Sequence, residues 1–364
     1  MSLRVFAASI ATALLFSAGP AFAHDEHAGH EGHDHAGYDK VGKVTFANSC
    51  APAVQDDFAR GVAMLHSFWF SAGERTFRDV LAKDPGCAIA TWGIASLLMS
   101  NPLAGVGSTP RDAERAQAAI DQGRRIGAKT QRERDYIEAV AVYYQDWANR
   151  PERARQQARA ASYEALAARY PDDDEAQIFG ALYIAGTQTQ ADQTYAAYAR
   201  AASILEKEFA KYPDHPGVAH YLIHVYDAPP IAAQGLTAAR RYAGIAPDAP
   251  HALHMPSHIF TRVGAWEDSA ATNRRSYAAA IKGNEFSEAY HASDYAVYAY
   301  LQLARDAAAR SAMEDAFKVK VTPPTAASAY ASAAMPARYA VERGDWRGAL
   351  LLRRHRTASQ RPSR

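Results

Sequence analysis

The sequence predicts an all-α fold, a solenoid of antiparallel helical hairpins, on three observations. From about Pro52 to Leu350 apolar residues recur at spacings of three and four, and Pro or Gly interrupts the pattern every 12 to 20 residues or so. No apolar/polar alternation of the β type breaks it. The pattern also repeats: Gly264-Ala265-Trp266-Glu267-Asp268-Ser269 and Gly344-Asp345-Trp346-Arg347-Gly348-Ala349 share a glycine, an aromatic two residues on and a small residue three further. Upstream, Met255-Pro256 and Ile259 match Met335-Pro336 and Tyr339, and every offset is 80 residues (335 − 255, 344 − 264).

The first segment, 1–23, carries one cation at Arg4, a short apolar run and the ending Ala21-Phe22-Ala23. That is the pattern of a cleaved signal peptide, too short in its apolar part for the ~20 residues that span a bilayer. The expectation is cleavage after Ala23 and a periplasmic or secreted protein, with no membrane association after cleavage. Residues 24–48 form a histidine-rich leader that holds five of the fourteen histidines and few large apolar side chains, so burial cannot offset the entropy of ordering it. A new α-amine at His24, beside its own imidazole, would chelate copper. Residues 49–350 are the helical repeat domain. Residues 351–364, LLRRHRTASQRPSR, are basic and lack aromatics, unlike the polar cap a solenoid needs, and read as a truncated or frame-shifted end.

Helix ends in the repeat domain are marked by LAKDP (Pro85), LAARYP (Pro171), EFAKYP (Pro213) and GIAP (Pro247), the last two 34 residues apart. The glycine and aromatic at 264/266 and 344/346 resemble the turn between helices A and B of a tetratricopeptide repeat, whose period is about 34. Segments 84–95 (DPGCAIATWGIA), 215–227 (HPGVAHYLIHVYD), 254–264 (HMPSHIFTRVG) and 334–346 (AMPARYAVERGDW) resemble an exported bacterial branch of that family. The resemblance implies a TPR-like α-solenoid over residues 45 to 348 and implies no reaction. It also implies that the second, fifth and ninth places of each repeat face a concave groove.

Counting from Gly264 as the fifteenth place, those groove positions hold His251, His254 and His258. One period earlier they hold Gly217, His220 and His224 (254 − 220 = 34); in the next repeat, with Ala304 in the turn-glycine place, they hold His291, Asp294 and Tyr298. Side chains four apart on a helix share a face, and packed helices lie about 8–10 Å apart. Two H-x-x-x-H pairs on adjacent helices are therefore expected to converge on one divalent transition metal, with imidazole suiting zinc, copper, iron or nickel. His220, His224, His254 and His258 are the expected ligands; His251, His291, Asp294 and Tyr298 support them, Asp294 as a further ligand, an orienter or a general base. Pro256 is expected to kink its helix or to delay its start.

The competing readings are a metalloenzyme using the same residues and a scaffold whose groove takes a protein or peptide. No H-E-x-x-H, P-loop, G-x-S-x-G or Rossmann glycine pattern occurs, which removes support for the familiar hydrolases, nucleotide enzymes and dehydrogenases. A net charge of +1 gives no preference for nucleic acid. Phe68-Trp69-Phe70 and Tyr195, Tyr198, Tyr295, Tyr298 and Tyr300 are expected in helices, filling hairpin cores. Cys50, which precedes the first A helix, and Cys87, which opens the next, are the two cysteines and are expected to form a disulfide.

Overall fold

The computed structural model describes residues 40–322 and 324–347, so the expected signal peptide, most of the leader and the basic tail lie outside the described residues. The helices are α1 (Gln55–His66), α2 (Phe70–Lys83), α3 (Ala90–Leu97), α4 (Pro110–Ile126), α5 (Gln131–Tyr144), α6 (Glu152–Arg169), α7 (Asp174–Ala185) and α8 (Ala196–Lys211). They continue as α9 (Pro216–Tyr226), α10 (Leu236–Ile245), α11 (Pro250–His254), α12 (Pro256–Val263), α13 (Trp266–Lys282), α14 (Phe286–Gln302), α15 (Asp306–Phe317) and α16 (Ala326–Glu342). Among the described residues there is no strand, and no helix is long and apolar enough to cross a membrane.

Local chemistry sets the helix ends. Thr130 and Glu133 form a reciprocal capping box at α5, and Thr109 caps α4 with Pro110 in its first turn. Helices α2, α6, α8 and α10 each stop just before one of the prolines that marked a boundary in the sequence. Gly264 takes a left-handed backbone angle, φ 77°, at the turn between α12 and α13, and Gly344 does the same, φ 64°, just after α16. Ala304 adopts φ 55° at the equivalent turn although it carries a Cβ, so the turn geometry holds without glycine.

Consecutive helices pack as hairpins, and alternate helices stack on one another: α1 on α3, α3 on α5, α7 on α9, α9 on α12, α11 on α14 and α14 on α16. The array is therefore solenoid-like, with one departure. Helix α1 also packs on α9, so the first hairpin reaches the fifth, whereas an open array touches only its neighbours. One core runs from Val41 to Phe260, and a second joins α14, α15 and α16. Phe58, Phe77 and Phe179 are each fully buried, about 2–3 kcal/mol of apolar transfer apiece.

The expected disulfide is present: Cys50 and Cys87 are bonded with Cα atoms 4.7 Å apart across a sequence separation of 37 residues. Closing a loop of that length stabilises by roughly 3–4 kcal/mol in the chain-entropy model. Pro256 does interrupt its helix, dividing it into α11 and α12, whereas Pro336 lies within an unbroken α16. The aromatic run departs from expectation. Phe68 and Trp69 lie in the turn between α1 and α2, with Phe68 at φ 51°, and Tyr195 likewise stands outside a helix at φ 54°.

Candidate metal centre

The segment His215-Pro216-Gly217 starts α9, and each residue has a distinct task. His215 caps the helix, its Nδ1 accepting from the Val218 backbone N–H at 3.3 Å, and Pro216 fits the first turn, where its missing N–H costs nothing. Gly217 leaves space for the His66 imidazole, which a Cβ there would overlap. Thus the one groove place that lacks a ligand-type side chain is where α1 enters.

One turn further along α9, His220 and His224 bring their Nε2 atoms to 3.0 Å. His251 of α11 completes a group of three whose ligand atoms all lie within 4.8 Å of one another. The arrangement then recurs. His254 and His258, on either side of the Pro256 break, bring their Nε2 atoms to 2.9 Å, and His291 of α14 completes the second group within the same 4.8 Å limit. Each group therefore takes an i, i+4 pair, from α9 in the first and from α11 and α12 across the Pro256 break in the second, and one further histidine, from α11 and α14 respectively.

The outer ring nitrogens are committed elsewhere. His220 Nδ1 donates to the His66 carbonyl (2.6 Å), His258 Nδ1 to the Asp227 carboxylate (2.7 Å) and His251 Nδ1 to Glu288 (3.1 Å). His254 Nδ1 donates to Asn273 Oδ1 (2.7 Å), and the Asn273 amide nitrogen is held by the Ser269 carbonyl, which fixes which end of the amide faces the ring. Because these partners only accept, each of the four rings carries its proton on Nδ1 and leaves Nε2 as a bare lone pair. That is the orientation outer partners impose on metal-bound histidine. His251 Nε2 is buried and has no hydrogen-bond partner.

The electrostatics favour neutral imidazole, the form that ligates. Burial pushes His220, His224 and His254 well below the ordinary histidine range, and their neighbouring imidazoles add to the effect. Burial brings His291 down to about 4 against the opposing pull of Glu288. Burial disfavours the Asp227 and Glu288 carboxylates, yet His258 with Arg262 and His251 respectively outweigh it and hold both below the usual carboxyl range. The groups also have an inside and an outside. His220 and His254 are fully buried, while the His251 and His258 side chains keep 13% exposure.

These residues fit a transition metal. In a tetrahedral site with bonds of about 2.0–2.1 Å, neighbouring nitrogens lie about 3.3 Å apart, close to the 3.0 and 2.9 Å separations seen here. His254 and His258 make the case most sharply, since with both Nδ1 atoms protonated two lone pairs face each other. Only a shared proton or a cation makes that contact favourable.

A third buried group, His66, Glu175 and His215, has its valences filled differently. Glu175 accepts from His66 Nε2 (2.8 Å) and His215 Nε2 (3.1 Å), and His66 Nδ1 meets the Tyr221 hydroxyl at 2.9 Å. Burial opposes the Glu175 charge, but the two imidazoles hold its carboxyl far below the usual range. The group fixes the backbone of His66, whose carbonyl orients His220.

Against the sequence expectation, the four expected ligands do not gather at one point. His220 and His224 of α9 group with His251 of α11, whereas His254 and His258 group with His291 of α14. His251 and His291 are full members, not supports. Asp294 and Tyr298 are outside both groups: Arg338 of α16 pairs with Asp294 at 2.8 Å and its guanidinium lies 5.1 Å from the Tyr298 ring centroid. Burial raises the Asp294 carboxyl despite that arginine. Tyr295, expected only as core, stacks on His258 with centroids 4.9 Å apart. Asp227, Asn273, Glu288 and Phe68, which packs edge-on to His220 at 4.5 Å, were not singled out in the sequence for this site. Among known proteins, the chain matches no family model and no curated protein.

Proposed function

We propose that this chain is an exported, tetratricopeptide-type solenoid whose concave face binds divalent transition metal through His220, His224 and His251 and through His254, His258 and His291. The observation that carries the reading is the shared direction of the imidazoles. Four Nδ1 protons are held by outer acceptors, and the paired Nε2 atoms sit 3.0 and 2.9 Å apart. A groove shaped for a peptide has no need of lone pairs facing one another. The turn glycines, the 34-residue register and the His-Pro-Gly segment support the repeat assignment, and the disulfide is in keeping with an oxidising compartment.

The test is metal titration of the chain with His224→Ala and His258→Ala combined, against a parent in which the leader residues His24, His27, His30, His33 and His35 are all asparagine. Stoichiometric binding in the parent and its loss in the variant, with unchanged circular dichroism, supports the reading. A variant that still binds as the parent does contradicts it. Export has its own readout, an intact mass that begins at His24.

A further inference from the structure

We infer that the six imidazoles hold two copper ions close enough to share one small oxygen-donor ligand, a hydroxide or a molecule of similar size. The inference rests on the metal-binding reading above and adds number, element and pairing.

Number and pairing follow from the ring positions. Between the groups, His224 and His258 lie 6.0 Å apart and His251 and His254 5.8 Å apart, centroid to centroid. Within the groups, His224 and His251 are 6.4 Å apart and His258 and His291 6.3 Å. The other ring pairs within the groups are closer, 4.3 to 5.1 Å, so the boundary between the groups falls inside the range of separations found within them. Ions about 2 Å from their own nitrogens are then neighbours, at the spacing of two-metal sites, on the order of 4 Å.

The element follows from the donor set. All six inner donors are imidazole; the carboxylates of Asp227 and Glu288 are turned to the Nδ1 atoms, and both cysteines are spent in the disulfide. A site without carboxylate or thiolate donors does not suit magnesium, calcium or manganese, and among the metals that imidazole suits, copper(II) binds most tightly. Three protein donors leave each ion a position open. His220 and His254 seal the inner side, with Phe68 and Tyr242 against the first and Tyr295 against the second. The partly exposed His251 and His258 face the groove, and an open position on that side admits a solute. Six neutral imidazoles leave the charge of two copper(II) ions uncompensated except by Asp227 and Glu288, which favours an anion between them. When that anion is hydroxide it forms from water, and the released proton passes to solvent.

The experiment is copper(II) loading of the full chain with the five leader histidines changed to asparagine, followed by elemental analysis and spin integration of the electron paramagnetic resonance signal. Two coppers per chain are expected, with an integrated spin well under half of the total copper, because a shared ligand couples the two spins. Two coppers with full spin overturn the pairing, and one copper per chain overturns the number; in both cases the metal-binding reading stands. No copper overturns both. His251→Ala and His291→Ala, tested singly, are each expected to retain one copper that integrates fully. Loss of both coppers from either variant, with helicity unchanged, also overturns the independence of the groups. Should a variant fail to fold, the spin count of the parent still decides the pairing.

Discussion

His254 and His258 point their Nε2 atoms at each other across 2.9 Å, and each has its Nδ1 proton held from behind, by Asn273 and by Asp227. Two neutral rings so oriented repel; a cation between them turns the same geometry into a ligand pair. Asp227 is itself held by Arg262 at 2.7 Å, so the orientation extends through a further residue.

Asp227→Asn tests that outer support. The amide removes the charge behind His258 and can present either end to Nδ1, so affinity at the second group is expected to fall about 10–100-fold. Competition with a chromophoric chelator measures it, and the first group serves as the internal reference. An unchanged affinity at both groups contradicts the role given to Asp227.

Much of this was legible in the sequence, and the reason is periodicity. A 34-residue register and helical i, i+4 spacing place His220, His224, His254 and His258 on one face, and proline and glycine mark the helix ends. How the pairs would combine was not legible. Sequence spacing does not say whether the two pairs meet each other or each meets a histidine of a further helix. The structure groups His251 with the first pair and His291 with the second, and gives Asp294 and Tyr298 to Arg338. His66 orients His220 across a separation of 154 residues, which depends on the curl that seats α1 on α9. No local pattern encodes that curl.

Gly217→Ala tests this long-range contact. Its Cβ would overlap the His66 ring, so we expect a loss of about 1–3 kcal/mol, together with weaker metal binding at the first group and unchanged binding at the second. Gly244→Ala in α10 is the control, since an added Cβ there meets nothing within 4 Å. It should be neutral or stabilise by up to about 1 kcal/mol. Thermal unfolding of the two variants measures both; equal stability contradicts the packing of α1 on α9.

Acid should destabilise the metal-free chain early. His220, His224 and His254 have folded pKa values well below 6.5, and His291 is near 4. Depressed values mean that the unfolded chain binds protons first as pH falls, so the stability they confer is present above about pH 6.5 and is lost below it, down to the folded values. Between about pH 6.5 and 5.5 carboxyl groups contribute little. Melting temperature should therefore be level from pH 8 to 7 and decline through that interval. A melting temperature that rises there contradicts the neutral, buried imidazoles.

The most direct test is the metal content of the chain itself, purified without an affinity tag and with the five leader histidines replaced by asparagine, then dialysed and analysed by elemental mass spectrometry. The histidine groups of α9, α11, α12 and α14 predict transition metal retained in whole-number stoichiometry to the chain. Metal no higher than in the dialysis buffer, both as purified and after incubation with copper, zinc, iron or nickel, would contradict the account.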